Sequence, residues 1–180
     1  PLSYLKNNRY IYENNKIKNV FFSGGSYNVK HNLNALKYII NDILPILINN
    51  NITLNITGSK IPQKFLNLNN EFLIFHGFID EKDFMNFYRK MDVNLAPIVS
   101  GHGMQSKIFE PMSLGIPTIT FKKGLRGYDF VKELEYLDLS ENLNAILSSK
   151  NLKDISEKTF EKSQKLFNYN FSELCEINSK

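Results

Sequence analysis

The chain has 180 residues, of which 42% are hydrophobic and 22% are charged, so it is predicted to fold around a sizeable core. A single cysteine excludes an internal disulfide framework, and the hydrophobic content excludes an intrinsically disordered chain. The formal net charge of +4 favours anionic ligands or a membrane surface, but no run of lysine and arginine indicates nucleic-acid binding. No apolar run approaches the roughly 20 residues of a membrane span.

Short apolar runs alternate with longer amphipathic segments along the chain. Five strands are predicted, at residues 20–22, 52–57, 72–76, 93–97 and 117–121. Helical spacing predicts a helix over residues 32–49, which Pro45 should kink or end, and another that begins at Asp80 as its N-cap. A further helix should follow the glycine turn after the fourth strand, and residues 128–171 are predicted to form two or three helices.

This alternation predicts a Rossmann-like α/β fold, with helices on both faces of a parallel sheet. We expect a single domain over residues 1–180, with residues 1–19 as a leading linker. In parallel sheets ligands bind beyond the carboxyl ends of the strands. Glycines mark four predicted strand ends in this sequence, namely Gly24–Gly25, Gly58, Gly77 and the pair Gly101 and Gly103. The pattern therefore predicts a nucleotide cleft at one edge of the sheet.

The segment Gly101–Pro117 indicates what this cleft binds. Its glycines suit a turn that enters a helix, where free backbone N–H groups can receive a phosphate. Lys107 adds a positive charge, and Glu110, one helical turn later on the same face, adds an acceptor for sugar hydroxyls. Together these parts describe a site for a nucleotide that carries a diphosphate.

The sequence lacks the signatures of other nucleotide-binding sites and of metal sites. Neither the G-x-G-x-x-G turn of dinucleotide-binding domains nor the G-x-x-x-x-G-K-[ST] loop occurs. The histidines and Cys175 offer no metal-ligand spacing, so no metal site is expected. His76 is expected to be an ordinary strand-end histidine, and Arg126 an exposed loop residue.

The sequence resembles the C-terminal, sugar-nucleotide-binding half of GT-B glycosyltransferases of the family 4 type. Residues 97–117 resemble the signature P-x3-G-x-G-x3-K-x2-E-x-M-x2-G-x-P. Two further segments carry the match, namely Gly24–Gly25 with the helix start at residues 31–36, and residues 75–80 before a short helix. His102 stands where many members carry the first glutamate of an E-x7-E pair, which leaves open how the donor sugar is held.

The resemblance implies a role for each matched position. Lys107 would neutralise the donor diphosphate and Glu110 would hold the ribose hydroxyls, so both are the candidate catalytic residues. Backbone at residues 78–79 and the turn at Gly58 would frame the base. The full set of implied binding positions is Gly24, Gly25, Gly58, Phe78, Ile79, Gly101, His102, Gly103 and Met104.

The expected function is therefore a retaining, metal-independent glycosyltransferase of the hexosyltransferase type, without a cofactor besides its UDP- or GDP-sugar donor. The acceptor would be a bacterial polysaccharide or a glycolipid, bound through an N-terminal domain. Since the chain starts at Pro1, we expect it to be a fragment without that domain, and inactive alone. A cytoplasmic location, with possible peripheral association at the inner membrane face, fits this chemistry. Two alternatives stay open, a non-catalytic nucleotide-binding module and a GT-B sugar-nucleotide epimerase.

Overall fold

A six-stranded, fully parallel sheet forms the centre of the molecule, with strand order β3-β2-β1-β4-β5-β6. The computed structural model describes residues 9, 16–100, 105–126, 136–149 and 151–177, with side chains up to residue 164. The strands are β1 (Asn19–Ser26), β2 (Thr53–Ser59), β3 (Leu73–Gly77), β4 (Val93–Ala96), β5 (Thr118–Thr120) and β6 (Leu137–Asp138). The predicted α/β fold is confirmed.

Helices connect each strand from β1 to β5 with the next, and helices lie on both faces of the sheet. They are α1 (Lys30–Tyr38), α2 (Leu44–Asn49), α3 (Gln63–Leu66), α4 (Glu81–Tyr88), α5 (Ser106–Ser113), α6 (Leu143–Leu147) and α7 (Leu152–Ile177). A π-helical segment, Ile39–Ile43, joins α1 to α2, and a 3₁₀ turn, Lys122–Leu125, follows β5.

Pro45 interrupts the first helical region, as its sequence predicts. The proline lies in the first turn of α2, directly after the π-helical segment. Proline has no backbone N–H to donate, and its ring collides with the carbonyl group four residues earlier. The helix therefore widens at this point.

Two elements were missed by the sequence pattern. β6 lies where only helices were predicted, and α3 lies in a stretch predicted as a polar loop. Both are too short to show hydrophobic periodicity, because β6 spans two residues and α3 four. The segment from residue 128 to 135 lies outside the described residues.

Side chains along β1 point alternately to the two faces of the sheet, and each set belongs to a different hydrophobic cluster. Val20 and Phe22 pack with buried residues of α1 and α2, whereas Phe21 packs with Phe87 of α4 and with Ile116. The ring of Phe21 meets that of Phe87 edge to face, with centroids 5.6 Å apart. Helices anchored in this way on both faces bring the N-terminal ends of α1, α4 and α5 to the carboxyl edge of the sheet.

Candidate functional site

Lys107 lies in the first turn of α5 and is fixed at both ends. Its Nζ donates a hydrogen bond to Asn32 Oδ1 at 2.5 Å, across the sheet edge on α1. Asn32 is 5% exposed, and its Nδ2 donates to the carbonyl oxygen of Ser26 at the end of β1. The backbone carbonyl of Lys107 accepts from Asn94 Nδ2 of β4 at 3.0 Å. The ammonium group is therefore held at a defined place beside the end of β1.

The charge of Lys107 is only partly compensated. Burial, followed by the nearby positive charge of Arg126, lowers the pKa of Lys107 to about 8. The ion pairs found among the described residues join Arg9 to Glu157 and Lys158 to Asp154, and neither involves Lys107. Since a desolvated cation is stabilised by a nearby anion, the position suits a negatively charged ligand.

Glu110 lies one turn further along α5 and is half-buried. Burial raises the pKa of its carboxyl group, and the negative charge of Glu81 at the start of α4 raises it further. The carboxyl group is therefore close to the α4 end of the cleft, whereas the Lys107 ammonium lies at the α1 end. One helix thus presents a cation and a hydrogen-bond acceptor to two parts of the same edge.

His31 and Arg126 lie near Lys107, close enough for their electrostatic interactions to be felt. The pKa of His31 is lowered by burial and then by the charges of Lys107 and Arg126. Arg126 is half-buried, whereas the sequence favoured an exposed loop residue. Sequence reasoning also gave no role to Asn32. Its contact with Lys107 joins residues 75 positions apart, and no local pattern could reveal that pairing.

Gly24 and Gly58 are needed for packing beneath the edge of the sheet. A Cβ atom on Gly24 would lie 2.2 Å from Cζ of Tyr27, and one on Gly58 would lie 2.8 Å from the carbonyl oxygen of Gly25. Tyr27 is fully buried, and its hydroxyl donates to the carbonyl oxygen of Thr57 at 3.0 Å. Burial raises the pKa of the Tyr27 phenol, so it stays protonated and able to donate.

Gly25 differs from these two glycines. It is exposed, has a φ of +67°, and would bring an added Cβ atom within 4 Å of no other atom. Backbone at Gly25 is therefore open to a ligand, while Gly24 and Gly58 act through the Tyr27 ring.

Phe78 and Ile79 follow β3 and line a cavity of about 560 Å³ together with His76 and Phe87. Phe78 is 71% exposed. His76 Nε2 lies 2.8 Å from Asn55 Oδ1, and its ring packs edge to face on Phe87, as expected for a strand-end histidine. The cavity also reaches Asp80, the N-cap of α4, whose side chain makes no capping hydrogen bond.

A second cavity, of about 290 Å³, lies at the other end of the edge. His31 and Tyr38 of α1, Val99 and Ser100 after β4, and Phe121 after β5 line it. The predicted binding positions Gly101, His102, Gly103 and Met104 follow Ser100 directly and lie outside the described residues. Gln105, the N-cap of α5, makes no side-chain capping bond.

Among residues 9, 16–100, 105–126, 136–149 and 151–177, no group of three potential metal ligands of the histidine, cysteine, aspartate or glutamate type occurs. In that same part of the chain, no helix has the length and apolar character required to cross a membrane.

Comparison with known proteins identifies the class. The chain belongs to the family described as "Glycosyl transferases group 1", whose pattern matches residues 18–138. The matched range includes every strand of the sheet, both cavities and the whole α5 segment. None of the curated proteins matches this chain.

Solved structures show the same fold at low sequence identity. The C-terminal domain of a glycosyl transferase group 1 family protein (LpcC) from Francisella tularensis superposes with a TM-score of 0.67 at 16% identity, over 90% of this chain and 97% of that one. Sucrose-phosphate synthase from Thermosynechococcus elongatus gives 0.64 at 18% identity, over 90% of this chain and 45% of its own length. Anabaena Alr3699/HepE, in complex with UDP and glucose, gives 0.60 at 14% identity, over 97% and 51%.

The fold is therefore that of the C-terminal domain of a GT-B glycosyltransferase, and the predicted resemblance is confirmed. The chain spans about half the length of the synthase and of HepE, and nearly all of the Francisella domain.

Proposed function

We propose that this chain is the donor-binding domain of a glycosyltransferase that uses a nucleoside-diphosphate sugar. The observation that carries the proposal is Lys107, a half-buried cation without an acidic partner among the described residues, held at the sheet edge by Asn32. The first turn of α5 adds backbone N–H groups that have no acceptor within the helix. These features support a site for the diphosphate.

Lys107 can stabilise the negative charge that the proposed reaction creates. When the bond between the sugar and the phosphate breaks, negative charge develops on the departing diphosphate. A preorganised cation and helix dipole stabilise that charge without reorganisation. Because protein groups neutralise the leaving group in this scheme, we propose a metal-independent reaction. Retention of configuration follows from the family resemblance alone.

Glu110 is proposed to accept hydrogen bonds from the ribose hydroxyls. The charge of Glu81 at the start of α4 acts on the Glu110 carboxyl group, and the Phe78–Ile79 segment that would frame the base lies directly before α4. The order of groups along the edge, from Lys107 through Glu110 to Phe78, fits a nucleotide laid from its diphosphate to its base. The structure of HepE with UDP and glucose supports a uridine nucleotide as the first ligand to test.

The acceptor and its binding domain are proposed by analogy with the longer relatives. We propose that an N-terminal domain supplies the acceptor site, that the acceptor is a bacterial polysaccharide or glycolipid, and that the protein works on the cytoplasmic side of the membrane. Under this scheme the domain alone binds the donor nucleotide but transfers no sugar.

A calorimetric titration tests the donor site. We expect UDP or GDP to bind the domain more tightly than UMP, because only the diphosphate reaches Lys107 fully. Loss of one charge-assisted hydrogen bond costs about 1.5–3 kcal/mol, so Lys107→Ala should weaken diphosphate binding by roughly 10- to 100-fold. Lys37→Ala, on the exposed side of α1, removes the same charge away from the site and should have no effect.

The proposal fails if diphosphates bind no better than UMP and Lys107→Ala changes nothing. That result would favour a nucleotide-binding module without a donor site.

A further inference from the structure

Arg126 is a cation with unused hydrogen-bond donors at the carboxyl edge of the sheet. Its Nη2 donates to the carbonyl oxygen of Ser100 at 3.0 Å, and its Nη1 donates to that of Lys123 at 3.2 Å. Of the five N–H donors of a guanidinium, about three are then left without an acceptor in the described part of the chain. One of these is the buried Nε, which has no hydrogen-bond partner.

The position of Arg126 is set by two neighbouring elements. Its Nη2 donates to the carbonyl oxygen of Ser100, and Ser100 directly precedes Gly101, where the sequence predicts a glycine turn. The 3₁₀ turn before Arg126 packs on α5, since a Cβ atom on Gly124 would lie 3.1 Å from Cδ1 of Ile108. Ile108 is the neighbour of Lys107, so the guanidinium lies beside the same helical turn. The influence of its charge on Lys107 and His31 agrees with this placement.

A purely structural role accounts for only part of this arrangement. Holding two carbonyl groups uses two N–H donors and explains neither the buried Nε nor the repulsion between Arg126 and Lys107. Neutral side chains could hold the same carbonyl groups without that repulsion. A diphosphate carries more than one negative charge, and planar guanidinium groups bind phosphate oxygens with paired donors.

We propose that Arg126 is a second phosphate-binding residue of the donor site, with its guanidinium contacting diphosphate oxygens alongside Lys107. The inference rests on the proposed function and adds a residue that the sequence assigned to an exposed loop.

Charge-removing variants test this role. Arg126→Gln removes the charge and keeps a polar N–H₂ group, on a side chain too short to reach both carbonyl groups. We expect it to weaken binding of UDP, GDP and inorganic pyrophosphate by about tenfold or more, with a smaller effect on UMP. Lys123→Gln removes one charge from the same 3₁₀ turn, where the side chain is exposed, and should change each affinity by less than about twofold.

Arginine footprinting tests the unaltered protein, so the answer does not depend on whether Arg126→Gln folds. The arginines of the chain are Arg9, Arg89 and Arg126, and Arg89 is an exposed residue at the C-terminal end of α4. Phenylglyoxal modification, followed by peptide mass spectrometry, should show Arg126 protected by saturating UDP or GDP. Arg89 should react equally with and without nucleotide.

The outcomes separate this inference from the proposed function. If Lys107→Ala weakens diphosphate binding while Arg126→Gln does not and Arg126 stays reactive, Arg126 has only a structural role. If the wild-type domain binds no diphosphate, the donor site and the role of Arg126 are both wrong.

Discussion

The pKa of Lys107 is set by the position of its side chain at the sheet edge. A lysine in water has a pKa near 10.4, and burial beside Arg126 brings that of Lys107 to about 8. A bound anion favours the charged form, so the lowered pKa is a property of the empty site that a phosphate would reverse.

We therefore predict that diphosphate binding depends on pH. Below pH 8 Lys107 carries its charge and affinity should be constant between pH 7 and 7.5. Above pH 8 the empty site loses its proton, so affinity should fall, approaching tenfold per pH unit. Calorimetry from pH 7 to 9.5 measures this, and Lys107→Arg, whose charge persists, should bind with a flat profile. An equally flat profile for the wild type would contradict the assignment.

Asn32 gives a second prediction at the same scale. Asn32→Ala removes the acceptor that holds Lys107 and should weaken diphosphate binding a few-fold. Asn32→Asp places a carboxylate beside the ammonium, which competes with phosphate and should weaken binding by tenfold or more, at roughly 1.4 kcal/mol per tenfold. Equal affinities for Asn32→Asp and the wild type would show that Lys107 does not contact the ligand.

At the scale of elements, the end of β1 depends on the Tyr27 ring beneath its glycines. Gly24→Ala should destabilise the domain by about 2–3 kcal/mol, because its Cβ atom collides with a buried ring. Gly25→Ala should cost about 1 kcal/mol, since only its positive φ opposes a side chain. Urea unfolding measures both, and the prediction is wrong if Gly25→Ala is the more damaging change.

Local patterns predicted the elements that have strong local signals. Short apolar runs, four of them followed by glycine, predicted β1 to β5, and the spacing of Lys107 and Glu110 placed both on one helix. β6 was not predicted because it consists of two residues, Leu137 and Asp138, which pair with β5 and are too few to show periodicity. The contacts of Asn32 and Arg126 were not predicted, because they join elements that are distant in sequence and come together only in the folded sheet.

Across the whole molecule, positive and negative side chains lie at opposite ends of the carboxyl edge of the sheet. Lys107 and Arg126 lie near each other at one end, whereas the charge of Glu81 acts on the Glu110 carboxyl group at the other. This division matches a nucleotide whose charge is concentrated in its diphosphate and whose ribose presents neutral hydroxyls. It gives the ligand a direction in the cleft.

Ligand binding at this edge should stabilise the entire domain. At a diphosphate concentration of 100 times Kd, the gain is about 2.7 kcal/mol, which for a domain of this size raises Tm by roughly 5–10 °C. Thermal unfolding with UDP or GDP measures the shift. Lys107→Ala, which binds 10- to 100-fold more weakly, should reduce the gain to about 0.4–1.4 kcal/mol at the same ligand concentration. A shift of undiminished size in that variant would place the ligand elsewhere.

The most direct test of the donor site is a crystal structure of the domain with whichever of UDP and GDP binds more tightly. We predict a diphosphate oxygen within about 3 Å of Lys107 Nζ and ribose hydroxyls at the Glu110 carboxylate. A nucleotide whose phosphates lie away from Lys107, for instance with its charge in the cavity beside Phe78, would contradict it.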